Sequence, residues 1–210
     1  MPFVAGVDSS TQSTKVEIRD LTTGEIVAAA SSPHVTVTPP CSEQDPQSWW
    51  NAFEIAWAAA GAQLRERSGS GDVVAVSIGG QQHGMVALDS TDQAVHPAKL
   101  WNDTESAPDA AWLLGQLRGP AAWAEAVGSV PVAAFTATKL SWLHRTHPDA
   151  WAEIAHVLLP HDYLTHRLTG AYTTDRGDAS GTGYWSPSAG EYRWALLALI
   201  DANRDWTHVV

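Results

Sequence analysis

The sequence is short of cysteine, of positive charge and of long apolar runs, and each shortage excludes something. Its one cysteine, Cys41, allows no internal disulfide, and no zinc-ligand spacing exists. Lys and Arg number 12 against 23 Asp and Glu, a formal charge of -11. A nucleic-acid-binding surface is basic, so that class is set aside. No apolar stretch approaches the ~20 residues needed to cross a bilayer, and the N-terminus lacks the basic start and apolar core of a signal peptide. The expectation is a cytoplasmic chain that binds neither nucleic acid nor membrane. Also missing are a Gly-x-Ser-x-Gly elbow and the Gly-Lys-Ser/Thr ending of a Walker loop. Hydrolysis by a serine elbow and P-loop chemistry are disfavoured accordingly.

What is present suits one sizeable core. The chain has 210 residues, 44% hydrophobic and 17% charged, with no repeat, low-complexity tract or linker. A single domain over residues 1–210 is expected. Residues 3–8 read as a buried strand, residues 14–19 alternate apolar and charged side chains, and residues 25–30 form a third strand after the Leu21–Gly24 turn. Three consecutive antiparallel strands result. Asp45-Pro46 starts a helix that runs to about Arg67, where Ser68-Gly69-Ser70-Gly71 breaks it. The continuous apolar run Val73–Ile78 predicts a central strand, and Met85–Leu88 another. Helices are predicted over residues 106–117, 120–126, 137–146, 149–154, 162–168 and 192–200, with a short strand at 157–159. The order implies an α/β lobe of the ribonuclease H-like (actin-like ATPase) type, a mixed sheet flanked by helices and helical insertions.

Two polar clusters stand at strand ends. Val4–Val7 runs into Asp8, Ser9, Ser10 and Thr11, and Val73–Ile78 runs into Gly79-Gly80-Gln81-Gln82-His83-Gly84. Asp8 alone is ordinarily a turn residue. Surrounded by hydroxyls, its turn can present successive amides to an anion while the carboxylate holds Mg²⁺. Lys15 adds charge nearby, although an exposed strand lysine needs no function. A lone histidine is ordinarily structural, but His83 sits among amide groups and glycines, a density of donors and acceptors suited to a hydroxyl-rich small molecule. Leu100-Trp101-Asn102-Asp103 adds further polar groups at a strand end and an aromatic face. Of 11 tryptophans most belong in cores, while a few suit a sugar's C–H face. The other histidines form no metal set.

In order along the chain, Gly6-Val7-Asp8-Ser9-Ser10-Thr11, Ser42-Glu43-Gln44-Asp45-Pro46, Gly80-Gln81-Gln82-His83-Gly84, Leu100-Trp101-Asn102-Asp103, Phe135-Thr136-Ala137-Thr138-Lys139-Leu140, Leu159-Pro160-x-Asp162-Tyr163 and Asp178-Ala179-Ser180-Gly181-Thr182 resemble the N-terminal lobe of the FGGY carbohydrate kinases, most closely those acting on D-xylulose. The resemblance implies ATP-dependent phosphorylation of the 5-hydroxyl of D-xylulose, or of another pentulose, glycerol or a sugar acid. It implies that Asp8 places Mg²⁺ and that Ser10, Thr11 and Lys15 approach the phosphates of ATP. Gln82, His83, Trp101, Asn102 and Asp103 would meet the ketopentose. Ser10 and Gln82 stand where the family usually has Gly and Met. The family's general-base Asp and its C-terminal ATP-binding lobe are expected beyond Val210. The chain alone is therefore expected to turn over poorly, to need that lobe as its partner, or to serve as a non-catalytic sugar-binding module. An apolar face left open in the isolated lobe would favour a homodimer.

Overall fold

A computed structural model describes residues 2–69 and 72–210. Phe3–Ser9 (β1), Ser13–Asp20 (β2) and Ile26–Pro33 (β3) form the expected antiparallel meander. Their alternation buries Phe3, Ala5, Val7, Val16, Ile18 and Ala28 on one face. Glu43–Gln44 (β4) precedes the helix Pro46–Ser68 (α1), whose Phe53, Ala56, Ala60 and Leu64 close that core. Asp45 caps α1 by accepting from Gln47 N at 2.9 Å, and a left-handed Gly69 ends it. Ser70 and Gly71, the rest of the predicted breaker, lie outside the described residues.

Val73–Gly80 (β5) runs parallel to β1, giving the sheet order β3-β2-β1-β5. The expected central strand is thus an edge strand among the described residues, with Val74 61% and Val76 41% exposed. An apolar run reports that cover is favourable, not that this stretch of chain supplies it.

Val86–Leu88 (β6) and Ala98–Lys99 (β7) follow; β7 pairs with β4. The helices Ala107–Gln116 (α2), Pro120–Val127 (α3), Thr136–Thr146 (α4) and Pro148–Glu153 (α5) come next, then His156–Leu158 (β8), which pairs with β6. Pro160–Thr169 (α6), Arg176–Ala179 (α7), Trp185–Ser186 (β9), Glu191–Tyr192 (β10), Trp194–Leu197 (α8) and a 3₁₀ turn at Trp206–His208 complete the order. The predicted helix over 192–200 is corrected: Tyr192 pairs with Trp185 in a hairpin and only Trp194–Leu197 is helical. Cross-strand packing of Tyr192 on Trp185 overrides its place in an apolar helical pattern.

The insertion after β7 has its own core around Leu113, Trp123, Leu140, Leu143 and Leu197. A third cluster of Trp49, Val86, Leu88, Leu100 and Leu164 joins it to the sheet side. This mixed sheet, flanked by helices and helical insertions, is a ribonuclease H-like lobe. No helix among the described residues is long and apolar enough to cross a membrane.

Candidate substrate cleft

Parallel pairing brings the ends of β1 and β5 to one edge, with Asp8 opposite Gly79 and Ser9 opposite Gly80. Strand C-terminal ends are where open α/β sheets present ligand sites. Asp8, Ser10 and Thr11 from one turn, Gly80–His83 from the other and Trp101 from a third segment line a single cavity of about 430 Å³.

The hairpin turn is organised locally. Ser10 N and Ser10 Oγ both donate to Ser13 O, at 2.9 and 3.1 Å. Ser10 is not among the residues with positive φ, so serine costs the backbone nothing there. Behind the turn, Ser9 Oγ, Thr14 Oγ1 and His34 Nε2 form a buried chain at 3.0 and 2.9 Å. Burial lowers the pKa of His34, against the pull of the Ser10 and Thr11 carbonyls. Gln44 Nε2 donates to Thr11 O at 3.1 Å while Trp49 Nε1 donates to Gln44 Oε1 at 2.7 Å. The amides of Thr11 and Gln12 donate to no described residue, which leaves two N–H groups for an anion. Asp8 is exposed and in no ion pair among the described residues.

The imidazole turn is built from distant segments. Gln81 N donates to Ser9 O at 3.0 Å, joining the two turns at their roots. His83 has φ 65, a conformation that non-glycine residues rarely adopt. Thr136 Oγ1 donates to His83 O at 3.3 Å, and the Phe135 ring lies 5.4 Å from the imidazole. Gly84 packs so tightly that a Cβ there would meet Pro160 Cγ at 2.7 Å. Burial lowers the pKa of His83, with Asp178 and the Gly181 backbone opposing and Lys139 adding to the shift, which favours the neutral ring. A neutral imidazole offers one donor and one acceptor. Gln82 is exposed beside it. Trp101, 49% exposed, closes the mouth and donates from Nε1 to Thr11 Oγ1 at 3.0 Å.

Three expected site residues lie elsewhere. Lys15 is exposed, reaches Glu17 at 3.8 Å and borders an adjoining hollow that it shares with Asp8. Asn102 is half-buried, its Oδ1 without a hydrogen-bond partner among the described residues. Asp103 is fully buried and takes Ser42 N at 2.8 Å, Glu105 N at 3.1 Å and Lys99 Nζ at 3.0 Å. Its carboxylate is thereby committed to supporting the segment that carries Trp101.

Lys99 and Lys139 carry no individual signal in the sequence. Lys99 is completely buried beneath the turns, with Glu43 Oε1 at 2.7 Å and Glu105 Oε2 at 2.8 Å, and its Nζ lies 3.7 Å from the Trp142 ring centre. Burial opposes its charge, but Glu105, Glu43 and Asp103 outweigh burial and raise its pKa. Lys139 Nζ donates to Ala133 O and Ala134 O at 2.6 and 3.1 Å, while burial pushes its pKa down to about 7. It fixes the loop that delivers Phe135 and Thr136 to His83.

Among the described residues two clusters have a metal-like ligand count, Cys41-Glu43-Asp103-Glu105 and His161-Asp175-Asp178. The Lys99 ammonium already pairs with all three carboxylates of the first. Neither includes Asp8.

The chain matches the model of the FGGY family of carbohydrate kinases, N-terminal domain, over residues 3–209. It is 49% identical over 199 residues to a xylulose kinase of Streptomyces coelicolor, covering 95% of this chain and 40% of the relative. The crystal structure of xylulose kinase from Bifidobacterium adolescentis superposes with a TM-score of 0.81 at 39% identity, over 95% of this chain and 43% of that one. A xyloylose kinase structure from Brucella ovis gives a TM-score of 0.86 at 34% identity, over 95% and 41%. The chain thus spans about 40% of the length of these three relatives.

Proposed function

The chain belongs to the FGGY family of carbohydrate kinases, and from that premise we propose that it is the sugar-binding lobe of an enzyme that phosphorylates D-xylulose on its 5-hydroxyl with ATP. One observation carries the reading. The acidic hairpin and the imidazole turn border the same cavity, so a hydroxyl held by one can meet a phosphate held by the other. His83, neutral and half-buried, and Gln82 hydrogen-bond the ketopentose, while the Trp101 ring supplies an apolar wall. Asn102 and Asp103 shape the pocket from behind.

The free amides of Thr11 and Gln12, with Ser10 beside them, receive phosphate oxygens of ATP, and Lys15 adds positive charge from the adjoining hollow. Asp8 suits Mg²⁺, an ion commonly bound through one or two carboxylates together with substrate phosphates, because it is exposed, three and four residues from those amides and in no ion pair among the described residues. When bound, the ion would neutralise phosphate charge. The protein's share is positioning and electrostatic stabilisation, the main sources of rate in phosphoryl transfer. None of these side chains is assigned as general base, and we expect residues 1–210 to bind sugar with little turnover. A cytoplasmic setting accompanies this reading. The outer edge of β5, unpaired with any strand among the described residues and with Val74 and Val76 exposed, supports self-association, which light scattering on the purified chain would detect.

Thermal shift over a panel of D-xylulose, D-ribulose, glycerol and gluconate tests the reading, since a ligand that binds the native state raises the melting temperature. The largest rise is expected with D-xylulose, reduced in Gln82→Ala and His83→Ala. No shift with any pentulose would overturn it.

A further inference from the structure

The imidazole of His83 rests on a residue outside the cavity lining. A Cβ placed on Gly181 would overlap Cε1 and Nδ1 of His83 and come within 3.0 Å of Nε2. Its three nearest heavy atoms all belong to that ring. Gly181 is buried and its φ is not in the left-handed region, so the backbone itself would accept alanine. What a side chain would disturb is the ring.

The position of Gly181 is itself fixed. Gly181 N donates to Asp178 O at 3.0 Å, and Ala137 N at the start of α4 donates to Thr182 O at 2.8 Å. The Asp178 carboxylate lies 2.6 Å from His161 Nδ1, and His161 Nε2 lies 3.0 Å from Asp162 and 3.2 Å from Asp175. The same His161 backs the other root of the imidazole turn, where a Cβ on Gly80 would meet His161 Cβ at 2.8 Å. Around the ring, Phe135 packs at 5.4 Å and Thr136 binds the His83 carbonyl. The floor of His83 thus comes from the turn after α7 and its side wall and backbone anchor from the start of α4, while α6 backs the root of the turn.

We propose that Gly181 is a positioning residue of the sugar subsite: the space left by its missing side chain is the seat of the His83 imidazole. The inference rests on the reading of His83 as a sugar ligand. Nδ1 of His83 is buried against Gly181, which leaves Nε2 for the sugar; with any side chain at 181 the ring must rotate off its seat, taking Nε2 out of register with the sugar hydroxyls.

The test is a double-mutant cycle on the full 210-residue chain, with Gly181→Ala, His83→Ala and both together. Gly181→Ala is expected to move the Cε1–Hε1 resonance of His83, identified by its loss in His83→Ala. It should also weaken D-xylulose binding about fivefold, the scale of one misplaced hydrogen bond. In the His83→Ala background the same substitution should change neither melting temperature nor affinity further. An unmoved resonance, or additive effects on melting temperature, would overturn the proposal. If the parent chain binds no sugar, the proposed function falls, while the resonance and the melting-temperature cycle still decide this one. Should Gly181→Ala fail to fold, folding of the double variant supports the seat and its failure to fold rejects it.

Discussion

The two turns that border the cleft differ in where their support comes from. The hairpin tip is held mainly by Ser13, Thr14, His34 and Gln44, all within about 35 residues of Asp8, with Gln81 N bonding Ser9 O and Trp101 Nε1 bonding Thr11 Oγ1 from further along the chain, and no residue from Asp8 to Ser13 is left-handed. The imidazole turn holds His83 at φ 65 and depends on Lys99, Phe135, Thr136, Pro160 and Gly181. One rests mainly on nearby sequence, the other on tertiary packing with the helical insertion. The phosphate side of the cleft can therefore form with the meander, while the sugar side needs the insertion in place. Strain at His83 belongs to the second kind of turn, since only over-determined surroundings keep such a conformation.

The sharpest way to break that comparison is to attack the ion cluster under the imidazole side. Lys99→Met leaves the fully buried Asp103 facing the carboxylates of Glu43 and Glu105 without their common cation. Removing one partner of a buried ionic group costs about 3–5 kcal/mol, so the urea midpoint should fall further than for any other substitution discussed. Gly84→Ala comes next. Its Cβ would meet Pro160 Cγ at 2.7 Å and Lys99 O at 3.2 Å, and overpacking of this kind costs about 1–3 kcal/mol. Thr14→Val, on the hairpin side, strips the hydroxyl shared by Ser9 and His34 and should cost about 1–2 kcal/mol. If Thr14→Val proved as costly as Lys99→Met, the two turns would not differ in the way proposed. Sugar affinity sharpens the contrast: Gly84→Ala should weaken it, and Thr14→Val should leave it nearly unchanged.

What the residues disclosed in advance follows the same division. The meander, the Asp45 cap and α1 were readable because alternation, turn residues and capping act over a few positions. The pairing of β1 with β5 was not, yet both polar clusters were visible as strand ends, so their meeting at one edge needed only the parallel register. Asp103 looked like a ligand because it follows Trp101 and Asn102. It is instead a buried anchor, and only the fold shows that Lys99, four residues earlier, turns inward to meet it. The burial of Lys139 was invisible for the same reason: a lysine on a helix with alternating polar neighbours reads as surface. Val73–Ile78 misled in the opposite direction, since apolar content states what a strand would bury and not which neighbour lies at its edge.

The smallest expected effect tests whether the imidazole side carries its own opposed titrations. His161 has its pKa raised to about 10: burial works against the charge, but Asp162 and Asp178 prevail. Its ordinary value is 6.5, so its contribution to stability is complete below about pH 6.5 and is lost as pH rises through about 10. Lys139 runs the other way. Burial lowers it from 10.5 to about 7, so between these values the unfolded chain binds a proton that the folded one does not, and stability rises with pH. Across pH 7 to 10 the two slopes oppose each other, and the parent chain should show a shallow profile. His161→Gln should uncover a rising profile and Lys139→Met a falling one, each read from urea midpoints at a series of pH values. The hairpin's own buried group, His34, has a lowered pKa through burial, so its effect is a loss of stability on the acid side of pH 6.5. Thr14→Val should accordingly leave the alkaline slope alone. Profiles in His161→Gln and Lys139→Met that overlay the parent would mean that neither buried titratable group is coupled to folding, and that the imidazole turn draws its support from packing rather than from charge.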